Sequence, residues 1–216
     1  MCLSLPSKCG DLQPVPNGNV TVFGTYQDDV SEVTCNVGYV ASPRGVSLAQ
    51  RCLITSVWST LEGTCKQSKF WKMEQAFVEE IPWALTEHSK MCVKGVFNDT
   101  SQITVNLKQT SGQRIIHMAF RYEADKVIWN VRNEGNWQPE LERYLGPMPL
   151  VPGDSLNLTL HVQSDRLQYT LNEAYVYTIP LLGVNNNTDG VKITDISMLV
   201  IEGPVSLTFI NLVEGC

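Results

Sequence analysis

His117, Arg121, Asn130, Arg132, Trp137, Glu140 and Glu142 crowd into one stretch of the chain. Imidazole, guanidinium, amide and carboxylate groups offer planar, multi-point hydrogen bonding. A tryptophan among them offers a flat apolar ring. A pyranose needs both: partners for its hydroxyls, and an aromatic surface for its C–H face. Arg–Glu pairs across such a surface would hold the side chains in place before a ligand arrives, lowering the entropic cost of binding. The chemistry on offer is sugar recognition. A merely solvated strand face carries similar residue types, so the pattern alone does not separate the two.

Other chemistries fit less well. Glu140 and Glu142 lie two apart, and paired carboxylates can hydrolyse a glycoside when they flank the scissile bond. Here both arise from one segment with Arg143 adjacent, the arrangement of solvated charges. No Ser-His-Asp pattern, glycine-rich phosphate loop or zinc motif appears, and there are only three histidines. An enzyme, a metal site and a cofactor are therefore not expected. The net charge is −6 and no basic stripe exists, which argues against nucleic acid or an anionic membrane surface as partner. No apolar run approaches the ~20 residues of a membrane span.

The elements that must position the candidate residues are strands. In the stretch Ile115–Tyr144, apolar and polar residues alternate with period two, so successive side chains face opposite ways. Ile116, Met118, Phe120 and Tyr122 share an apolar face, while His117, Ala119 and Arg121 share the other. After a turn near Glu123–Asp125 the alternation resumes. Val127, Trp129 and Val131 point inward, and Ile128, Asn130 and Arg132 outward. The segments SQITVNLK, SLNLTLHVQ, LQYTL and VSLTF repeat the habit. Roughly ten such strands with no sustained helical period predict an antiparallel β-sandwich from Phe70 onward. With 43% hydrophobic and 18% charged residues in 216, the chain has the composition of a folded protein.

Cysteines mark a second region. Five of the seven fall in the first 65 residues: Cys2, Cys9, Cys35, Cys52 and Cys65. Such density reads as disulfide stapling in an oxidising compartment, and the wide spacing is wrong for zinc. Four glycosylation sequons, at Asn19, Asn98, Asn157 and Asn186, agree with an extracellular, secreted glycoprotein. The opening MCLSLPSKCG lacks the apolar region of a secretory signal, so either a signal is expected to have been removed or the chain to have been recut. Cys92 could pair with Cys216, or Cys216 with Cys2. An odd total leaves one thiol free or intermolecular, and a linked dimer is one outcome.

Two resemblances sharpen this. The order Cys9, Pro14, Asn17-Gly18, Tyr26, Val33-x-Cys35, Gly38-Tyr39, Cys52, Trp58-Ser59, Cys65 resembles a sushi, or complement control protein, module. The resemblance implies Cys9–Cys52 and Cys35–Cys65 bridges, with Trp58 against a small core. Val57 stands where that family often has Gly, and the Pro before the last cysteine is missing. Such modules bind proteins or act as spacers. Further along, His117-x-Ala-x-Arg121, Val127-Ile-Trp-Asn130 and Trp137-x-x-Glu140 resemble the sugar-recognition signature of galectins, with CVKGVF, PLVPGDSLNLTLHV and TDISMLVIEGPVSLTFINL as flanking strands. This implies a two-sheet jelly roll that binds β-galactosides without metal. His117 and Arg121 would contact the galactose 4-hydroxyl, Asn130 and Glu140 the 6-hydroxyl, and Trp137 the apolar face. Two positions depart: Ala119 replaces the usual Asn, and Glu142 the usual Arg, with Arg143 one residue late.

The expected organisation is all-β. It comprises a disulfide-stapled sushi module at 1–66, a linker at 67–69 and a galectin-like domain at 70–216. The expected function is a secreted lectin for galactose-type or related glycans. The alternative is an adhesion protein that keeps the fold but docks on proteins.

Overall fold

The computed structural model describes residues 7–73, 76–109, 111, 114–133, 136–137, 142–180 and 193–213, with backbone alone for Arg114, Ile115, Arg132, Asn133 and Trp137. The chain divides into two compact units, Met1–Gln67 and Ser68–Cys216. Gln67 and Lys69, read from sequence as linker, both lie in strands, on either side of the buried Ser68.

The first unit has five short strands: β1 (Gly18–Val22), β2 (Val30–Cys35), β3 (Tyr39–Ser42), β4 (Ala49–Arg51) and β5 (Thr64–Gln67). They form a sheet of order β1-β2-β4 and a β3-β5 pair. Among the described residues its buried apolar side chains are Cys9, Leu48, Cys52 and Cys65. Three of these four are half-cystines, so the bridges themselves make up most of the core. Cys9 is bonded to Cys52 and Cys35 to Cys65. Trp58 is half-buried and donates its Nε1–H to the Gly10 carbonyl at 2.8 Å.

The second unit is a sandwich of two antiparallel sheets. Its strands are β6 (Lys69–Met73), β7 (Phe77–Glu80), β8 (Lys90–Phe97), β9 (Gln102–Lys108), β10 (Arg114–Arg121), β11 (Lys126–Asn133), β12 (Asn136–Trp137), β13 (Arg143–Gly146), β14 (Ser155–Val162), β15 (Arg166–Leu171), β16 (Tyr175–Pro180), β17 (Met198–Glu202) and β18 (Val205–Asn211). One sheet has the order β12-β11-β10-β9-β17-β7, with β13 also on β11; the other runs β16-β15-β14-β8-β18-β6. Strict alternation puts one face of each sheet into the core. Ile116, Met118, Phe120, Val127 and Trp129 meet Leu156, Leu158, Leu160, Val162 and Tyr169 there. Turn chemistry joins neighbours. Asn172 and Glu173 take positive φ in the three-residue turn between β15 and β16, where the Ala174 N–H donates to the Leu171 carbonyl at 3.1 Å. Asp125 does so between β10 and β11, with its N–H on the Tyr122 carbonyl at 2.9 Å. Cys92, fully buried on β8, is also disulfide-bonded. No helix among the described residues is long and apolar enough to cross a membrane.

Asn19 and Asn98 are exposed, and Asn157 is half-buried. Asn186, Cys2 and Cys216 lie outside the described residues.

Candidate functional site

Register decides which side chains meet. Across the β10–β11 hairpin, His117 stands opposite Asn130, Ala119 opposite Ile128 and Arg121 opposite Lys126. Directly opposed residues share a face. On the other flank, β9 sets Asn106 beside His117, Thr104 beside Ala119 and Gln102 beside Arg121. Then β17 sets Glu202 beside Thr104. His117, Arg121 and Asn130 are thereby gathered on one face, with three polar residues of β9 and one acid of β17.

The remaining sequence candidates sit as follows. The backbone of Arg132 pairs with that of Trp137 on β12, at the edge of the same sheet. Glu140 lies outside the described residues. Glu142 is exposed just before β13. Arg143 does not return to the His117 face: it stands opposite Trp129, whose side chain is in the core, and its Nη1 donates to the Glu142 carbonyl at 3.0 Å. A β-bulge can re-aim a side chain, but the one here falls after Arg143, at Leu145, where the register shifts between Val127 and Ile128. Tyr144, 64% exposed, takes the place opposite Ile128 instead.

The face is outward but not open, which differs from the solvent-side surface expected from alternation. His117 is 8% exposed, Asn130 5% and Ala119 0%. β10 lies inside the sheet, with β9 and β11 hydrogen-bonded to its two edges and their polar side chains beside its own. Buried polar groups must then satisfy one another. His117 Nδ1 lies 2.7 Å from Asn106 Oδ1. Asn106 Nδ2 donates to Thr104 Oγ1 at 3.2 Å and to Glu202 Oε2 at 3.4 Å. Arg121 Nε donates to Gln102 Oε1 at 3.0 Å, and Val131 N–H donates to Asn130 Oδ1 at 2.7 Å. Sequence reasoning saw that the polar residues of SQITVNLK face away from the core. It missed that Gln102, Thr104 and Asn106 stand against His117 and Arg121.

Burial pulls the His117 pKa down to about 4, and the charges of Arg121 and Lys108 push the same way. In the unfolded chain the imidazole takes its proton near pH 6.5. Between these values the unfolded state binds more protons, so stability is full above 6.5 and falls as pH drops toward 4. The whole shift corresponds to about 3 kcal/mol. Urea unfolding at pH 7 and pH 4 should show this loss, and His117→Gln should remove that part of it. An equal loss in the variant would assign the acid sensitivity to other groups.

The described residues thus place a hydrogen-bonded polar cluster on one face of a two-sheet antiparallel sandwich. The galactoside-binding lectin family profile matches residues 76–210, more than half of the chain, and the protein belongs to that family. A 32 kDa beta-galactoside-binding lectin of Haemonchus contortus is 28% identical over 106 residues, which is 44% of this chain and 36% of that protein. The match thus spans about a third of that relative's length. Three solved structures share the fold. The Caenorhabditis elegans galectin LEC-6 superposes with a TM-score of 0.57 at 14% identity, over 67% of this chain and 94% of its own. Sheep galectin-11 gives 0.53 at 18%, over 64% and 98%. A human galectin-16 variant gives 0.55 at 20%, over 66% and 99%.

Proposed function

We propose that the protein is a secreted lectin that binds galactose-type glycans without metal through the face carrying His117, Arg121 and Asn130. The observation that carries this reading is the register that sets His117 opposite Asn130, with Arg121 on the same face. In this role His117 and Arg121 hold one hydroxyl of the sugar, and Asn130 and Glu140 another. Trp137, whose backbone pairs with Arg132 at the sheet edge, supplies the stacking ring. Membership of the galactoside-binding lectin family supports the ligand class. The two bridges of the first unit support an oxidising, extracellular setting. That unit serves as a sushi-type spacer or protein-docking module. No catalytic activity accompanies binding.

A second reading is favoured by two positions. Ala119, fully buried, brings no amide to the face, and Glu142 stands where a cation is usual. Each missing hydrogen bond weakens a sugar complex by ~1 kcal/mol. On this reading the fold is kept for protein docking or adhesion, or for a glycan other than lactose.

A glycan array of the oxidised protein, in EDTA and in calcium, separates the readings. Galactosides bound equally in both, and lost in Trp137→Ala, support the lectin. Other glycans, lost in the same variant, indicate a retuned site. A blank array with folded protein leaves protein docking.

A further inference from the structure

The sheet that lacks His117, of order β16-β15-β14-β8-β18-β6, carries on its outer face a row of side chains in register across four strands. Trp71 on β6 stands opposite Phe209 on β18, Phe209 opposite Lys94 on β8, and Lys94 opposite Asn157 on β14. Leu156 and Leu158 flank Asn157 and lie in the core, as Ile210 does beside Phe209, so the row faces away from it. Two members are out of place among the polar residues of that face. Trp71 is 53% exposed, and its ring meets that of Phe209 at 6.0 Å between centroids, tilted by 50°. Aromatic rings paired on a sheet face mark a contact surface. The fourth member of the row names the occupant. Asn157-Leu158-Thr159 is a glycosylation sequon, and Asn157 and Thr159, two apart on one strand, share the outer face.

We propose that an N-linked glycan on Asn157 lies along this row and caps Phe209 and Trp71 with its first two sugars. Neighbouring strands lie about 4.8 Å apart, so two steps from Asn157 reach Phe209 at about 10 Å and a third reaches Trp71 at about 15 Å. An N-linked glycan begins with two N-acetylglucosamine rings, which cover such an interval. Each ring has an apolar C–H face that stacks on an aromatic side chain. Lys94, midway, is a donor for their hydroxyl and acetamide oxygens. The protein's own carbohydrate then closes the outer face of this sheet and leaves the face with His117 for ligand. Asn98, between β8 and β9, and Asn19, in the first unit, lie outside the row. The inference rests on the extracellular setting of the proposed function and not on its sugar site.

The test uses the full chain secreted from insect cells. Peptide mass spectrometry before and after peptide-N-glycosidase treatment reads occupancy at each sequon. A glycan at Asn157 is expected, and an unmodified Asn157 overturns the inference. Oxidative footprinting of the native protein then reads the cover. Trp71 should oxidise several-fold faster in Asn157→Gln, in Thr159→Val (which keeps the asparagine but loses the sequon) and in enzymatically deglycosylated wild type. Equal rates overturn the inference. Thr159→Ser, which keeps the sequon, should match wild type. Loss of the glycan should lower the melting midpoint of the sandwich by about 2–4 °C, the size of one stacking contact in a domain of this length. Trp71→Ala should abolish that difference; a difference that survives it unchanged overturns the stacking. If Asn157 is glycosylated and Trp71 covered while no galactoside binds, the inference stands and the lectin reading falls. If galactosides bind and Asn157 is bare, the reverse holds.

Discussion

Reduction of the intact, oxidised protein is expected to unfold the first unit and leave the sandwich folded. The first unit's described core is little more than Leu48 and three half-cystines. A segment of this size buries too little surface to be secure by itself. Its two bridges join residues 43 and 30 apart in sequence. Closing loops of that length stabilises by about 4 kcal/mol each through the restricted unfolded chain. Losing both removes roughly as much as the whole stability of a small domain. The sandwich instead packs a continuous apolar layer between its sheets, including Phe97, Phe120, Leu158 and Tyr169 at 0% exposure. Limited proteolysis with and without reductant, read by mass spectrometry, checks this. New cuts confined to residues 7–67 are the expected result. Unchanged resistance there, or equal cutting of both units, contradicts it.

Gly203→Ala is expected to be the most damaging small substitution near the site. Gly203 turns the chain between β17 and β18 with φ of +117°, a conformation that alanine adopts only under strain. A Cβ there would collide with the Gln102 carbonyl oxygen and lie 2.9 Å from Ile103 Cα. Backbone cannot swing aside as a side chain can. Strain of about 1–3 kcal/mol and a similar overpacking penalty give a loss of about 2–6 kcal/mol. Two residues beside this contact matter to the face: Gln102, which the Cβ meets, holds Arg121, and Glu202, which precedes Gly203, holds Asn106. The variant should unfold at lower urea and, where folded, bind sugar less well. A shift in stability under 1 kcal/mol would show that the turn relaxes freely.

Much of the sandwich was legible from alternation, and the reason is local. In β14 the period of two is unbroken, and in β10 and β11 only Ile115, Ala119 and Ile128 interrupt it, so the assignment of Ile116, Met118, Phe120, Leu156 and Leu158 to the core needs no knowledge of partners. The same rule put His117, Arg121 and Asn130 on one face. What alternation cannot supply is adjacency between distant strands. β9 and β17 are neighbours although β10 to β16 intervene in the chain. Glu202 is therefore invisible as a partner of Thr104 and Asn106 until the register is known. Burial was misread for the same reason: a polar residue on an outward face looks solvated until both flanking strands are placed. The face of Arg143 was left open for a different reason. Whether a bulge falls before or after it decides its face, and no residue type in that segment announces the position of the extra residue.

The most direct test is calorimetric titration of lactose into the intact, oxidised protein in EDTA at pH 7, beside His117→Ala. Saturable binding with Kd on the order of 1 mM or tighter, lost in the folded variant, is the expected result and places galactoside recognition on this face. A flat titration of folded wild type contradicts it, as does binding that survives His117→Ala unchanged.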